Sequence, residues 1–136
     1  MDKAQSDQIV ASQPFAQTLG ARVVSFGPDE YVAEVKVDGA VLNGNGVMHG
    51  GAIMALADFI GGAATYAHLP DGMATTTIES KTNFLRPVRD GETARASAKP
   101  LHTGKTTHVW QTTITRDDGK VCAIVTQTQL VMKWQG

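Results

Sequence analysis

The chain has 136 residues, the size of one domain and too short for two ordinary ones. Hydrophobic residues make up 42% and charged residues 18%, which suits a packed core and excludes a disordered chain. Twelve Lys+Arg against thirteen Asp+Glu leave a formal net charge of -1, without the electrostatic footprint of a general nucleic-acid or anionic-membrane binder. A single cysteine, Cys122, excludes an intrachain disulfide framework and a cysteine-based zinc site. The first residues, Met-Asp-Lys-Ala-Gln-Ser-Asp-Gln, lead into no apolar signal region, and no stretch approaches the roughly 18 apolar residues of a membrane span. The expectation is one cytoplasmic domain over residues 1–136.

Residues 2–13 predict a short N-terminal helix closed by Pro14. Ala21–Phe26 and Tyr31–Val37 predict strands joined at Gly27-Pro28-Asp29, and the glycine- and asparagine-rich stretch 38–48 predicts an irregular loop. Residues 50–67 lack proline and are almost wholly apolar or small. They are too long for a strand and predict one helix, apolar all round and therefore buried on most sides. Gly61-Gly62 weakens that helix and implies a packing reason. Beyond a loop at Leu69–Gly72 the chain reads as strand: Thr75–Leu85, Glu92–Pro100, 106–115 and 121–132, with turns at His102–Lys105 and Asp117-Asp118-Gly119. The pattern predicts an α+β fold, an antiparallel sheet of about six strands wrapped around one long central helix.

Asp58 is the only ionisable side chain between His49 and Tyr66. A carboxylate in such a helix is either a hydrogen-bonded structural group or one that lines a cleft, and perturbed carboxylates cluster at functional sites. His49-Gly50-Gly51 opens the helix. There, free N–H groups and the positive end of the dipole form an anion or oxyanion site, although an isolated His-Gly-Gly is more often only a tight turn. Nine residues from His49 to Asp58 amount to roughly 900° of helix, so the two side chains point to opposite sides. Either one of them is functional, or the site is built between two subunits. Gly44-Asn45-Gly46 is not a dinucleotide motif, Gly-x-Ser-x-Gly is absent, and His68, His102 and His108 lack metal-ligand spacing. No cofactor or metal is expected.

Asn43, His49-Gly50-Gly51 and Asp58 stand in the pattern N-x5-H-G-G-x6-D, followed by Asn83-Phe84-Leu85-Arg86-Pro87 and Asp90-Gly91-Glu92. Over roughly residues 15–132 the chain resembles the hotdog-fold acyl-CoA thioesterases, in the phenylacetate-pathway (PaaI-like) branch of the 4-hydroxybenzoyl-CoA thioesterase superfamily. The resemblance implies a homodimer joined edge to edge, often paired into a tetramer, with active sites at the dimer interface. It implies Asp58 from one subunit as general base or nucleophile, and Asn43, His49 and Gly50 from the other. The Gly50 N–H would polarise the thioester carbonyl, Asn43 would position water or carbonyl, and His49 would stand near the sulfur or hold the loop. Thr77, with Thr76 as its rival, would orient the attacking water.

The resemblance further implies CoA phosphates on Arg86, Arg89 or Lys105, and an acyl pocket lined by Met54, Ala55, Phe59 and Gly62. An aromatic or medium-chain acyl-CoA is the expected substrate, with no nucleic-acid or membrane partner. The alternatives are a hotdog acyl-CoA-binding module without turnover, against which intact Asp58, Gly50 and Asn43 speak, and a hotdog hydratase or dehydratase, whose usual histidine signature differs.

Overall fold

Asp2 caps the first helix of the computed structural model, which describes residues 2–135; Met1 and Gly136, the ends of the expected domain, lie outside the described residues. In α1 (Lys3–Ala11) the Asp2 carboxylate accepts from the Gln5 N–H while the Gln5 side chain accepts from the Asp2 N–H, satisfying two orphan donors at once. Pro14 does not merely close this helix. It opens a second, α2 (Pro14–Leu19), because its fixed φ suits the first helical position. Six residues are too few to show a periodicity, so this helix is invisible in the sequence pattern. It ends at Gly20, whose φ of 79° is left-handed.

The strands follow the expected order. The hairpin β1 (Ala21–Phe26) and β2 (Tyr31–Lys36) leads through a loop with one short helical turn, Gly39–Val41, to α3 (Gly50–Tyr66). Then come β3 (Met73–Phe84), β4 (Thr93–Thr103), β5 (Thr107–Thr115) and β6 (Val121–Lys133). Pro100 does not end β4. A bulge between Pro100 and His102 accommodates the missing N–H, so the strand continues to Thr103 and the turn expected at His102–Lys105 shortens. The six strands form one antiparallel sheet in the order β1-β2-β4-β5-β6-β3, which is the α+β hotdog arrangement. The α3 segment carries the chain from β2 to the far edge, and β3 is left as a long edge strand.

The sheet approaches α3 closely because Ala94, Ala96 and Ala98, each 0% exposed, face it from β4. Leu56 and Ile60 fill the space between, each contributing about 1.5–3 kcal/mol by burial. The Trp110 indole N–H donates to Thr65 Oγ1 at 2.7 Å, and that hydroxyl donates to the Gly61 carbonyl at 3.0 Å, tying β5 to the helix. One stripe of α3 departs from the expectation of burial: Gly51, Met54, Asp58 and Tyr66 are exposed.

The two helical glycines differ in kind. A Cβ on Gly61 would run into the buried Gln127 carboxamide, with Cδ at 2.5 Å, whereas a Cβ on Gly62 meets nothing within 4 Å. Gly61→Ala should therefore destabilise the fold by about 1–3 kcal/mol through overpacking. Gly62→Ala should stabilise it by about 0.5–1 kcal/mol through helix propensity. Chemical denaturation of both variants checks this; equal effects at the two positions would contradict it.

Candidate active site

Asp58 projects from the middle of α3 toward β3, where the Thr77 hydroxyl donates to its Oδ1 at 2.6 Å. Behind Thr77 stands Gln129 of β6, 1% exposed, whose Nε2 donates to Thr77 Oγ1 at 2.7 Å. The Thr75 hydroxyl in turn donates to Gln129 Oε1 at 3.0 Å. The direction of this chain follows from charge. An ionised carboxylate only accepts, so Thr77 gives its one proton to Asp58 and takes one from the Gln129 amide nitrogen; the amide oxygen then faces Thr75. Thr77 thereby fixes Oδ1 and leaves Oδ2 as the carboxylate oxygen open to the cleft. Thr76, its rival, borders the same cleft but is exposed and makes no such bond.

Gln129 and Thr75 were not foreseen, yet the sequence holds a signal for the first. The inward positions of β6 read Ala123, Val125, Gln127 and Gln129, and two glutamines on a buried face are unusual. The cleft over Asp58 has a volume of about 390 Å³ and is lined also by Phe59, Gly62, Tyr66 and Gln13. Of the four residues expected in an acyl pocket, Phe59 and Gly62 line this cleft. Met54 is 38% exposed further along the helix and Ala55 packs against the core.

The helix start is built differently. His49 is the N-cap of α3, and its Nδ1 accepts from the Gly51 N–H at 2.8 Å, which places the proton of the neutral ring on Nε2. The Ala52 and Ile53 N–H groups donate to the His49 carbonyl. Gly50 N–H has no hydrogen-bond partner among the described residues and is the free donor at the positive end of the helix. Gly50 also lies under Phe84, whose Cζ would be 3.3 Å from an added Cβ. Asn43 Oδ1 accepts from the N–H groups of Asn45 and Val47, holding the preceding loop in shape.

Within one chain these two halves do not meet. His49 and Gly51 line a cleft of about 220 Å³ together with Phe15 and Leu42, and it shares no residue with the Asp58 cleft. Gly50 and Asp58 are eight residues apart, about 12 Å along the helix. Arg86 and Arg89 lie near the helix start: Arg86 Nη1 donates to the Val121 carbonyl, and Arg89 pairs with Val47. Lys105 lies at the other end of α3, beside His68 and His108. Burial, and then the neighbouring His68, hold the His108 pKa below the usual histidine value.

A family described as the thioesterase superfamily matches residues 45–123. A 1,4-dihydroxy-2-naphthoyl-CoA hydrolase of Escherichia coli (strain K12) is 34% identical over 104 residues, covering 76% of each chain. The crystal structure of a thioesterase from Haemophilus influenzae aligns with a TM-score of 0.90 and 31% identity, covering 100% of this chain and 94% of that one. The PaaI protein from the phenylacetic acid degradation operon of E. coli aligns with a TM-score of 0.82 and 27% identity, covering 98% of this chain and 94% of that one.

Proposed function

The chain belongs to the thioesterase superfamily and is a thioester hydrolase, and we propose that it cleaves an aromatic or medium-chain acyl-CoA to the free acid and CoA. The observation that carries the assignment of its site is the α3 carboxylate held by Thr77 at 2.6 Å in an open cleft. In this reading Asp58 Oδ2 takes a proton from water as the water oxygen attacks the carbonyl carbon, or itself attacks to form an anhydride that water then opens. In the first route the C–S bond breaks as the proton taken up by Asp58 passes to the departing sulfur; in the second the CoA thiolate leaves as the anhydride forms, and the water that opens the anhydride supplies the proton that makes it the thiol. Thr77 is a positioning residue: its proton is committed to Oδ1, so it orients the carboxylate rather than donating to water. The free Gly50 N–H stabilises the oxyanion. His49 holds that N–H in place through its cap on Gly51, and Asn43, whose Oδ1 shapes the loop before the helix, would position the water or the carbonyl. Arg86 and Arg89 are the basic groups near this end for CoA phosphates; Lys105 is remote from them within one chain.

Because Gly50 and Asp58 are separated in one chain, the reading requires a homodimer in which each contributes to a shared site, with a dimer of dimers as the larger assembly. The β3 edge supports this. It is 12 residues long, and Ile78 and Phe84 on it, with Leu85 just beyond, are 53–56% exposed. A long apolar edge strand left open is an aggregation hazard, and pairing with a second copy removes it. We place the activity in a single hotdog domain in the cytoplasm; no helix among the described residues is long and apolar enough to cross a membrane.

The test is thiol release from phenylacetyl-, benzoyl-, short-chain and long-chain acyl-CoAs. Release that disappears in Asp58→Ala supports the enzyme. Tight binding with no turnover of any of them would leave only a binding module.

A further inference from the structure

Gln127 and Gln129 of β6 are each 1% exposed, but their carboxamides are used differently. Neither polar atom of the Gln127 carboxamide has a partner among the described residues. Both ends of the Gln129 carboxamide are engaged, its Nε2 with Thr77 and its Oε1 with Thr75. Strand β3 is shaped at this point. Thr77 stands opposite Gln129 in the β3–β6 ladder, and the register shifts between Thr77 and Glu79. A bulge of this kind re-aims the side chains beside it, and bulges are frequent next to active sites.

A threonine hydroxyl has one proton and turns to suit its partners. The N–H from Gln129 occupies the acceptor side of Thr77 Oγ1, so the Thr77 proton is directed to the Asp58 carboxylate. The orientation of the amide matters for the same reason. Turned over, it would present Oε1 to Thr77 and draw that proton away from Asp58. The Thr75 hydroxyl, donating to Oε1, holds the amide the right way round.

We propose that Gln129 is a positioning residue for thioester hydrolysis, with Thr75 as the lock on its amide. Together they keep the Thr77 proton on Asp58 Oδ1 and leave Oδ2 to react. Gln129 is buried and acts only through Thr77. This deepens the thioesterase reading and rests on it.

Gln129→Met keeps the length of the side chain and removes the amide; Thr75→Val is nearly isosteric and removes the donor to it. Each should lower kcat about 10-fold, the low end of what a hydrogen bond to a charged group contributes, with KM little changed. Thr77→Val should lower kcat at least as far. In the Thr77→Val background neither substitution should lower kcat further, because both act through the hydroxyl already removed. Gln127→Met makes the same change on the same buried face. It should leave kcat near the parent value, whatever it does to thermal stability. Equal losses in Gln127→Met and Gln129→Met, or losses that multiply with that of Thr77→Val, overturn the relay and reduce Gln129 to a packing group. Parental kcat in folded Gln129→Met overturns it too. Where Gln129→Met does not fold, parental kcat in Thr75→Val does the same. In each of these cases the parent still hydrolyses thioesters. Absence of thiol release from every acyl-CoA by the parent protein overturns the relay together with the reading beneath it.

Discussion

Asp58→Asn should lower kcat by at least about 10²-fold, the low end of what a positioned general base contributes. The substitution is nearly isosteric. The Asn oxygen still accepts the Thr77 proton at the place of Oδ1, and Asp58 is exposed in the single chain, so the fold has no reason to respond. What is lost is the negative charge on Oδ2: an amide nitrogen there neither accepts a proton from water nor attacks a thioester. KM should change less than kcat, because the CoA portion is held elsewhere. Steady-state kinetics with the best acyl-CoA of the panel decide the matter, and retention of more than a tenth of the parent kcat would remove Asp58 from the reaction.

Gly50→Val should abolish turnover, and Gly50→Ala should lower kcat more than it weakens binding of CoA. Loss of one oxyanion donor costs on the order of 10²–10³ in kcat. The Gly50 backbone is not in the left-handed region, so neither side chain strains it. A Cβ there meets the Phe84 ring at 3.3 Å, but Phe84 is 53% exposed and can give way by a few tenths of an ångström. Alanine therefore narrows the approach to the N–H, and valine blocks it with a second branch. Melting temperature measured beside the kinetics separates blockage from unfolding. A folded, dimeric Gly50→Val protein that hydrolyses acyl-CoA near the parent rate would place the oxyanion hole elsewhere.

The elements most legible in the sequence are those with strong periodicity or punctuation. The length and composition of 50–67 imply α3, the Ala94-Ala96-Ala98 alternation implies the inward face of β4, and Asp117-Asp118-Gly119 implies the β5–β6 turn. What stayed hidden depends on tertiary contact. Helix α2 is too short to show a pattern, and β4 passes Pro100 because a bulge tolerates it. Gly61 and Gly62 read alike as a pair, and only the position of Gln127 separates a required glycine from a free one. At the site, Asp58 stands out as a lone charge in an apolar helix. Its partners, Thr77 and through it Gln129 and Thr75, come from strands distant in sequence. The exposure of the Met54–Asp58–Tyr66 stripe could not be inferred from a helix that is apolar on every side; in the proposed dimer a second copy of the chain would cover it.

That missing surface is the central claim: one subunit supplies Asp58 and its partner supplies the Gly50 N–H. Mixing inactive Asp58→Ala protein with inactive Gly50→Val protein tests it most directly. In each hybrid dimer one site carries both lesions and the other carries neither. With random exchange half of the dimers are hybrid, so thiol release should recover to about a quarter of the parent activity. No recovery after subunit exchange has been verified would contradict the shared site and place both groups in one chain's pocket.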